Sequence, residues 1–414
     1  MSGRSDPRTR QGGSWRDDRA WQAGLLIGSA LGAAATVVGR RIEDRAREGL
    51  VDWPAVERIA IDRLRGAPGT LTAADLRAAE PAYLAAMERI VPALSATLGA
   101  ELPGVVERCA VVDRAGWVRA NTSAFEALIG KLESDLLDQV IPAGGGLAKA
   151  TMALANRWIT TRQLGFLLGF MGQRVLGQYD LALLSAESTP GRLIFVEENI
   201  RQTARTLGVP LGPFRTWIAL HETTHAFEFE AHPWLRPYLA SRLERQLTLF
   251  GSDAKGMGRE ALRSLGRALR GESAGEHWME SLMGDEQKRL FRETQAVMSL
   301  LEGFSDYVMD EVGHDLVPDV ARISQRFHER RNRRTPFERS MLRLTGMDLK
   351  MEQYKKGEAF VRAIADARGR SALSRLWDGP ASLPRDGEIA EPDRWICRVL
   401  DGPAELTVSP RPLA

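Results

Sequence analysis

Between Pro213 and Pro233 no proline interrupts the chain, and the interval carries His221-Glu222-Thr223-Thr224-His225 between the uncharged runs Ile218-Ala219-Leu220 and Ala226-Phe227. A proline in the first turn and another past the end are the boundaries of one helix. On that helix His221 and His225 lie one turn apart on a single face, while Glu222 sits about 100° round. The uncharged flanks predict a buried helix, and a buried imidazole pair needs partners. The rest of the chain must therefore fold so as to bring a polar group to this face.

One segment fits that need. Leu300-Leu301-Glu302-Gly303-Phe304-Ser305-Asp306-Tyr307 reads as a helix in which two carboxylates, four residues apart, share a face in an otherwise apolar run. Two imidazoles and one carboxylate suit a single zinc ion, with a fourth position left open for water. In this reading His221, His225 and Glu302 are the ligands. Asp306 accepts a hydrogen bond from a ligand histidine, His221 in first place. Glu222, beside the ion rather than on it, is the general base for a metal-bound water. His232, His277, His314 and His328 remain alternative third ligands, although His232 follows the helix end too closely to curl back. The longer HExxHxxGxxH pattern is absent, because Glu228 and Ala231 occupy its last two defining positions. Tyr307, His314 and Tyr354 are candidates for steadying an oxyanion, since a phenol or imidazole near the metal can do so.

The remaining sequence predicts a mainly α fold with a small β-sheet. Trp53, Val56, Ile59, Ala60 and Leu64 recur at helical spacing until Gly66-Ala67-Pro68-Gly69, and Thr72-Ala73-Ala74-Asp75 opens the next helix in capping style. Ala110-Val111-Val112, Asp113-Arg114-Ala115-Gly116 and Trp117-Val118-Arg119 read as a short hairpin or a pair of extended pieces. A helical region follows from about Leu128 to Leu184, broken at Pro142 and Gly144-Gly145-Gly146. Leu193-Ile194-Phe195-Val196 is the clearest strand. The expected organisation is a disordered tail over 1–20, an apolar Gly/Ala-rich segment over 21–41, a helical part over 50–190 and a catalytic part over 191–400, the last two packed as one unit.

Charge narrows the partners. Acidic and basic residues nearly cancel, to +2, so nothing calls for nucleic acid. The uncharged stretch Ala23–Gly39 repeats glycine at 24, 28 and 32, the spacing that lets membrane helices approach, and three readings stay open for it: a membrane-associated helix, an amphipathic or oligomer-packing segment, or a cleaved signal; the expected location is cytoplasmic, with membrane association through residues 23–39 if the first holds. Arg330, Arg331, Arg333 and Arg334 are expected in a loop before Pro336. Cys109 and Cys397 read as buried thiols in a reducing compartment.

Several stretches resemble a family of zincin-like hydrolases, known as zinc-dependent metalloproteases or as proteins associated with deazaflavin coenzyme biosynthesis. They are Val51-Asp52-Trp53, Val112 to Val118, Gln163-Leu164-Gly165, Gly177-Gln178-Tyr179-Asp180, the His221–His225 helix, Glu302 to Asp306, and Asp348-Leu349-Lys350 through Gln353-Tyr354 to Gly357-Glu358-Ala359-Phe360. Together they cover about residues 51–400. The HExxH with the later ExxxD is the gluzincin arrangement. The resemblance implies a zincin-like metallopeptidase core, one zinc ion, and a peptide or protein substrate. The competing expectation is a non-catalytic zinc-containing binding or scaffold protein.

Overall fold

Leu193–Val196, apolar at every position and fully buried, becomes the central strand of a three-stranded sheet. In the computed structural model, which describes residues 48–140, 146–179, 191–253, 284–332, 347–385 and 387–402, this strand (β3) pairs on one side with β1, Cys109–Val112, in parallel. On the other side it pairs with β2, Gly177–Tyr179, antiparallel. A strand buried on both faces has no polar positions to alternate, which is why it reads as one short apolar run.

Most of the rest of the described chain is helical. The helices are α1 (Trp53–Leu64), α2 (Ala73–Leu98), α3 (Arg114–Val140), α4 (Gly146–Gly172), α5 (Glu197–Leu207), α6 (Leu211–Glu230), α7 (Leu235–Asp253), α8 (Asp285–Leu316), α9 (Val320–Asn332), α10 (Met347–Arg368) and the single turn α11 (Pro392–Trp395), with a 3₁₀ segment at Arg370–Trp377. The predicted cap of α2 is present: Thr72 Oγ1 accepts from Asp75 N, and Asp75 Oδ2 accepts from Thr72 N.

Four expectations change. The residues expected as a hairpin after Val112 begin α3 instead. Asp113 Oδ1 accepts the Gly116 amide at 2.6 Å, so the side chain that suits a turn caps a helix. The helical region expected to Leu184 ends at Gly172 and is followed by β2, whose residues are held in the sheet by β3. Arg330 and Arg331 complete α9 rather than a loop, and the Arg330 guanidinium donates to Thr203 Oγ1 at 2.9 Å. Cys397 is exposed; Cys109 is half-buried, and burial pushes its thiol up to about 12. Residues 1–47, Arg333, Arg334, Pro142, Gly144 and Gly145 lie outside the described residues. Among those described, no helix is long and apolar enough to cross a membrane.

The chain divides into two compact units, one of residues up to Val56 with Glu133–Leu164, the other of Glu57–Leu132 with Gly165 onward. Strand β3 takes one neighbour from residues 109–112 and the other from 177–179, so segments on both sides of residue 190 share the sheet. In the smaller unit Asp52 N donates to Thr161 Oγ1, and Arg157 pairs with Glu48 at 3.0 Å. The larger unit holds the sheet and one continuous apolar core.

Within that core α5 begins with two buried carboxylates. Glu197 accepts from Tyr83 Oη at 2.6 Å and from Arg201 Nε at 2.6 Å, and it pairs with Arg215 on α6. Burial alone would raise its pKa, yet the bonds from Arg215, Tyr83 and Arg201 hold it below the ordinary carboxylate range. The stabilisation this gives is fully present above the unfolded value of about 4.3 and is lost as pH falls through the lower folded value. Replacing Glu197 by Ala leaves two half-buried cations and the Tyr83 hydroxyl without their shared acceptor and should cost roughly 3 kcal/mol, read as a shift in urea midpoint with unchanged m. An Ala variant whose midpoint stays in place at pH 7 would overturn that role for the network.

Candidate metal centre

Helix α6 is placed by α2, α8 and β2, which pack on its different faces. Pro210 precedes it and Pro213 lies in its first turn, as its sequence predicts. Apolar residues from Phe214 to Phe229 fix its orientation, so the His221 and His225 rings project together toward α8. Glu302 meets them from that helix.

The three groups form one cluster. His221 Nε2 and His225 Nε2 are 3.3 Å apart, and Glu302 Oε2 lies 3.7 Å from the first and 3.9 Å from the second. A point equidistant from three atoms at those separations is about 2.1 Å from each, the length of zinc–imidazole and zinc–carboxylate bonds. The donor set therefore fits one ion, and it is the one such group of metal-ligating side chains among the described residues. The three side chains keep 15–24% exposure, so the cluster is not sealed from solvent.

Glu222 lies outside this donor set and is 9% exposed. Its Oε2 accepts the Tyr179 amide of β2 at 3.0 Å. Burial, opposed by His225 and reinforced by Glu302, pushes its carboxyl up to about 7. Strand β2 comes this close only because residue 177 is glycine: a Cβ there would fall 2.6 Å from Glu222 Cγ and 2.8 Å from Oε1.

Behind the ligands stand groups that the spacing argument did not find. Glu228 is 1% exposed, and its Oε2 is 2.8 Å from His225 Nδ1, with Ser305 Oγ donating to its other oxygen at 3.5 Å. Burial disfavours charge on His225, but Glu228, then Glu302 and Glu222, hold the imidazole above its usual range. Glu228 stands three residues after His225, so the i,i+3 rule offered the signal. On the other ring, Met309 Sδ sits 3.3 Å from His221 Nδ1, and Asp306 is half-buried one turn from Glu302.

The remaining candidates are elsewhere. Tyr307 is five residues, about 140°, round α8 from Glu302, and its phenol is directed to Arg370 and Glu311. His314 is exposed, about 18 Å further along the same helix than Glu302. Tyr354 belongs to the part of α10 whose side chains lie outside the described residues, and His277 also lies outside the described residues. His232 stacks on Trp377 with ring centroids 4.9 Å apart, and burial pushes it down to about 4; His328 Nδ1 meets the Ser324 carbonyl at 2.7 Å. Neither is a third ligand.

Comparison with known proteins agrees with this geometry. A crystal structure from Chloroflexus aurantiacus, described as a "putative hydrolase with a novel fold", is similar at 34% identity and a TM-score of 0.60, over 84% of this chain and 98% of that one. No protein of curated function matches. The model of a family described as zincin-like metallopeptidase matches residues 51–396. That span contains the histidine pair, Glu222 and Glu302, and membership implies a metal; the chain belongs to the zincin-like metallopeptidase family.

Proposed function

We propose that the protein is a zinc-dependent hydrolase that cleaves peptide bonds. The observation that carries this reading is the common point about 2.1 Å from His221, His225 and Glu302, with a buried carboxyl beside it and outside the ligand set. Zinc held there would supply a Lewis acid that polarises a carbonyl and acidifies water. The chain's own residues supply the rest. Glu222 takes a proton from the attacking water and passes it to the leaving amine, and a value of about 7 suits both directions of that transfer. The Tyr179 amide and the empty side of Gly177 hold Glu222 at one place while it does so. We assign Asp306 to orienting the ligand set from α8, in keeping with its place on the Glu302 face.

The test is zinc analysis of the purified chain together with a digest of a broad peptide library. One zinc per chain and cleaved peptides are expected. A full zinc load with no cleavage would favour a metal-containing scaffold instead.

Glu228 extends the argument to affinity. A buried carboxylate on the distal nitrogen of a ligand histidine fixes its tautomer and ring angle. Glu228→Gln should weaken zinc binding about 10–100-fold in competition with a chelator. Equal affinity in the variant would reduce Glu228 to packing.

A further inference from the structure

A cavity of about 440 Å³ lies where the end of α2, the last turns of α6, the middle of α8 and the 3₁₀ segment meet. Packed interiors leave few voids larger than a water molecule, and an apolar hole of only ~150 Å³ already admits benzene. The α8 residues on its wall, Phe304, Tyr307, Val308 and Glu311, stand about 140–240° round the helix from Glu302. The cavity is therefore on the other side of α8 from the metal cluster. Glu228, which holds His225 from behind, is the one residue of the metal centre that it touches among those described.

The chemistry of the walls selects the occupant. Leu98, Phe227, Phe304, Val308, Leu373 and Trp377 make them largely apolar. The charges on them are already matched: Glu311 pairs with Arg370, and Glu228 faces His225 at 2.8 Å. Two hydroxyls are committed as donors, Ser374 Oγ to the Ser371 carbonyl at 2.8 Å and Thr97 Oγ1 to that of Ala93 at 2.9 Å. A charged guest would leave water without a free counter-charge to meet it, whereas an uncharged one gives up little.

His232 is the exception among these satisfied groups. Its ring stacks on Trp377 with centroids 4.9 Å apart, and neither ring nitrogen has a hydrogen-bond partner among the described residues. Burial holds the imidazole neutral at pH 7, so it offers one donor and one acceptor. Phe304 meets Trp377 edge-on at 5.1 Å, so the same corner presents the ring faces and edges against which an aromatic guest packs.

We propose that this cavity binds a small uncharged aromatic molecule of one or two rings, which packs against Phe304 and Trp377 and bonds His232 through a hydroxyl or ring N–H. Such binding needs neither zinc nor hydrolysis at the metal cluster, so the site stands apart from the peptidase reading.

The test is titration calorimetry of the full chain at pH 7 with 2-naphthol and, in a second arm, 2-naphthalenesulfonate, which carries the same rings with a charge. Saturable 1:1 binding of 2-naphthol is expected, with the sulfonate weaker by roughly tenfold or more. Ser374→Trp, at an exposed wall position, should fill the cavity and weaken 2-naphthol by about tenfold or more at an unchanged melting temperature. His232→Phe keeps a ring on Trp377 but removes both nitrogens, and should weaken binding about two- to tenfold. The two variants act separately, so a folding defect in one leaves the other to decide. No saturable binding of 2-naphthol, tighter binding of the sulfonate, or undiminished affinity in either folded variant overturns the proposal. Because no hydrolysis is measured, that result would leave the peptidase reading standing.

Discussion

Glu222→Gln is expected to lower kcat on a cleaved peptide by two to four orders of magnitude while the zinc content stays at one per chain. The two readouts separate because Glu222 is not in the donor set: His221, His225 and Glu302 are the group that could hold the ion. The substitution is nearly isosteric, and the glutamine oxygen can still accept the Tyr179 amide that Glu222 Oε2 accepts at 3.0 Å. A carboxyl raised to about 7 by burial loses little when replaced by a neutral amide, so the fold should be unchanged or slightly firmer. What disappears is the acceptor for the water's proton. His225→Ala is the contrasting variant, since it removes both zinc and activity. Undiminished turnover in the glutamine variant would remove Glu222 from the mechanism, and loss of zinc along with activity would place it among the ligands instead.

The parts of this site that were legible in the sequence are those set by helix geometry. Four-residue spacing places His221 beside His225 in any α-helix, and a carboxylate in an apolar run, as at Glu302, is costly unless something uses it. Strand β3 was legible for a related reason, its short apolar run. What escaped depends on contacts between distant segments or on ambiguous local signals. Asp113 can close a turn or cap a helix, and only the continuation through Trp117 and Val118, both buried, decides for α3. Strand β2 has three residues, too few to show a period, and owes its place to β3 and to Glu222. Glu228 has the right spacing, but its burial against Ser305 follows from the packing of α8 on α6.

Gly303→Ala should damage the protein more than any surface change, because residue 303 is where α8 and α10 nearly touch. A Cβ at Gly303 would overlap the backbone carbon of Gly357 and the Glu358 nitrogen, and would stand 2.6 Å from the Gly357 Cα. A Cβ at Gly357 would strike the Ser299 carbonyl oxygen. Backbone cannot swing aside as a flexible side chain can, so the helices must separate. Overpacking of this kind costs typically 1–3 kcal/mol and more where backbone is struck, and we expect about 3 kcal/mol or above as a fall in denaturant midpoint. The residue next to Gly303 is Glu302, so separating α8 from α10 also shifts the Glu302 oxygen from its place 3.7 and 3.9 Å from the two imidazoles; zinc affinity should fall with stability. Gly212→Ala is the matched control. That glycine lies in the first turn of α6 with nothing within 4 Å of its would-be Cβ, and helix propensity there favours alanine by about 0.5–1 kcal/mol. If both alanine variants unfold at the wild-type midpoint and retain zinc equally, the close crossing does not position Glu302. If only the Gly303 variant weakens, and zinc affinity falls with it, then a pair of glycines 54 residues apart sets the distance on which the metal site depends.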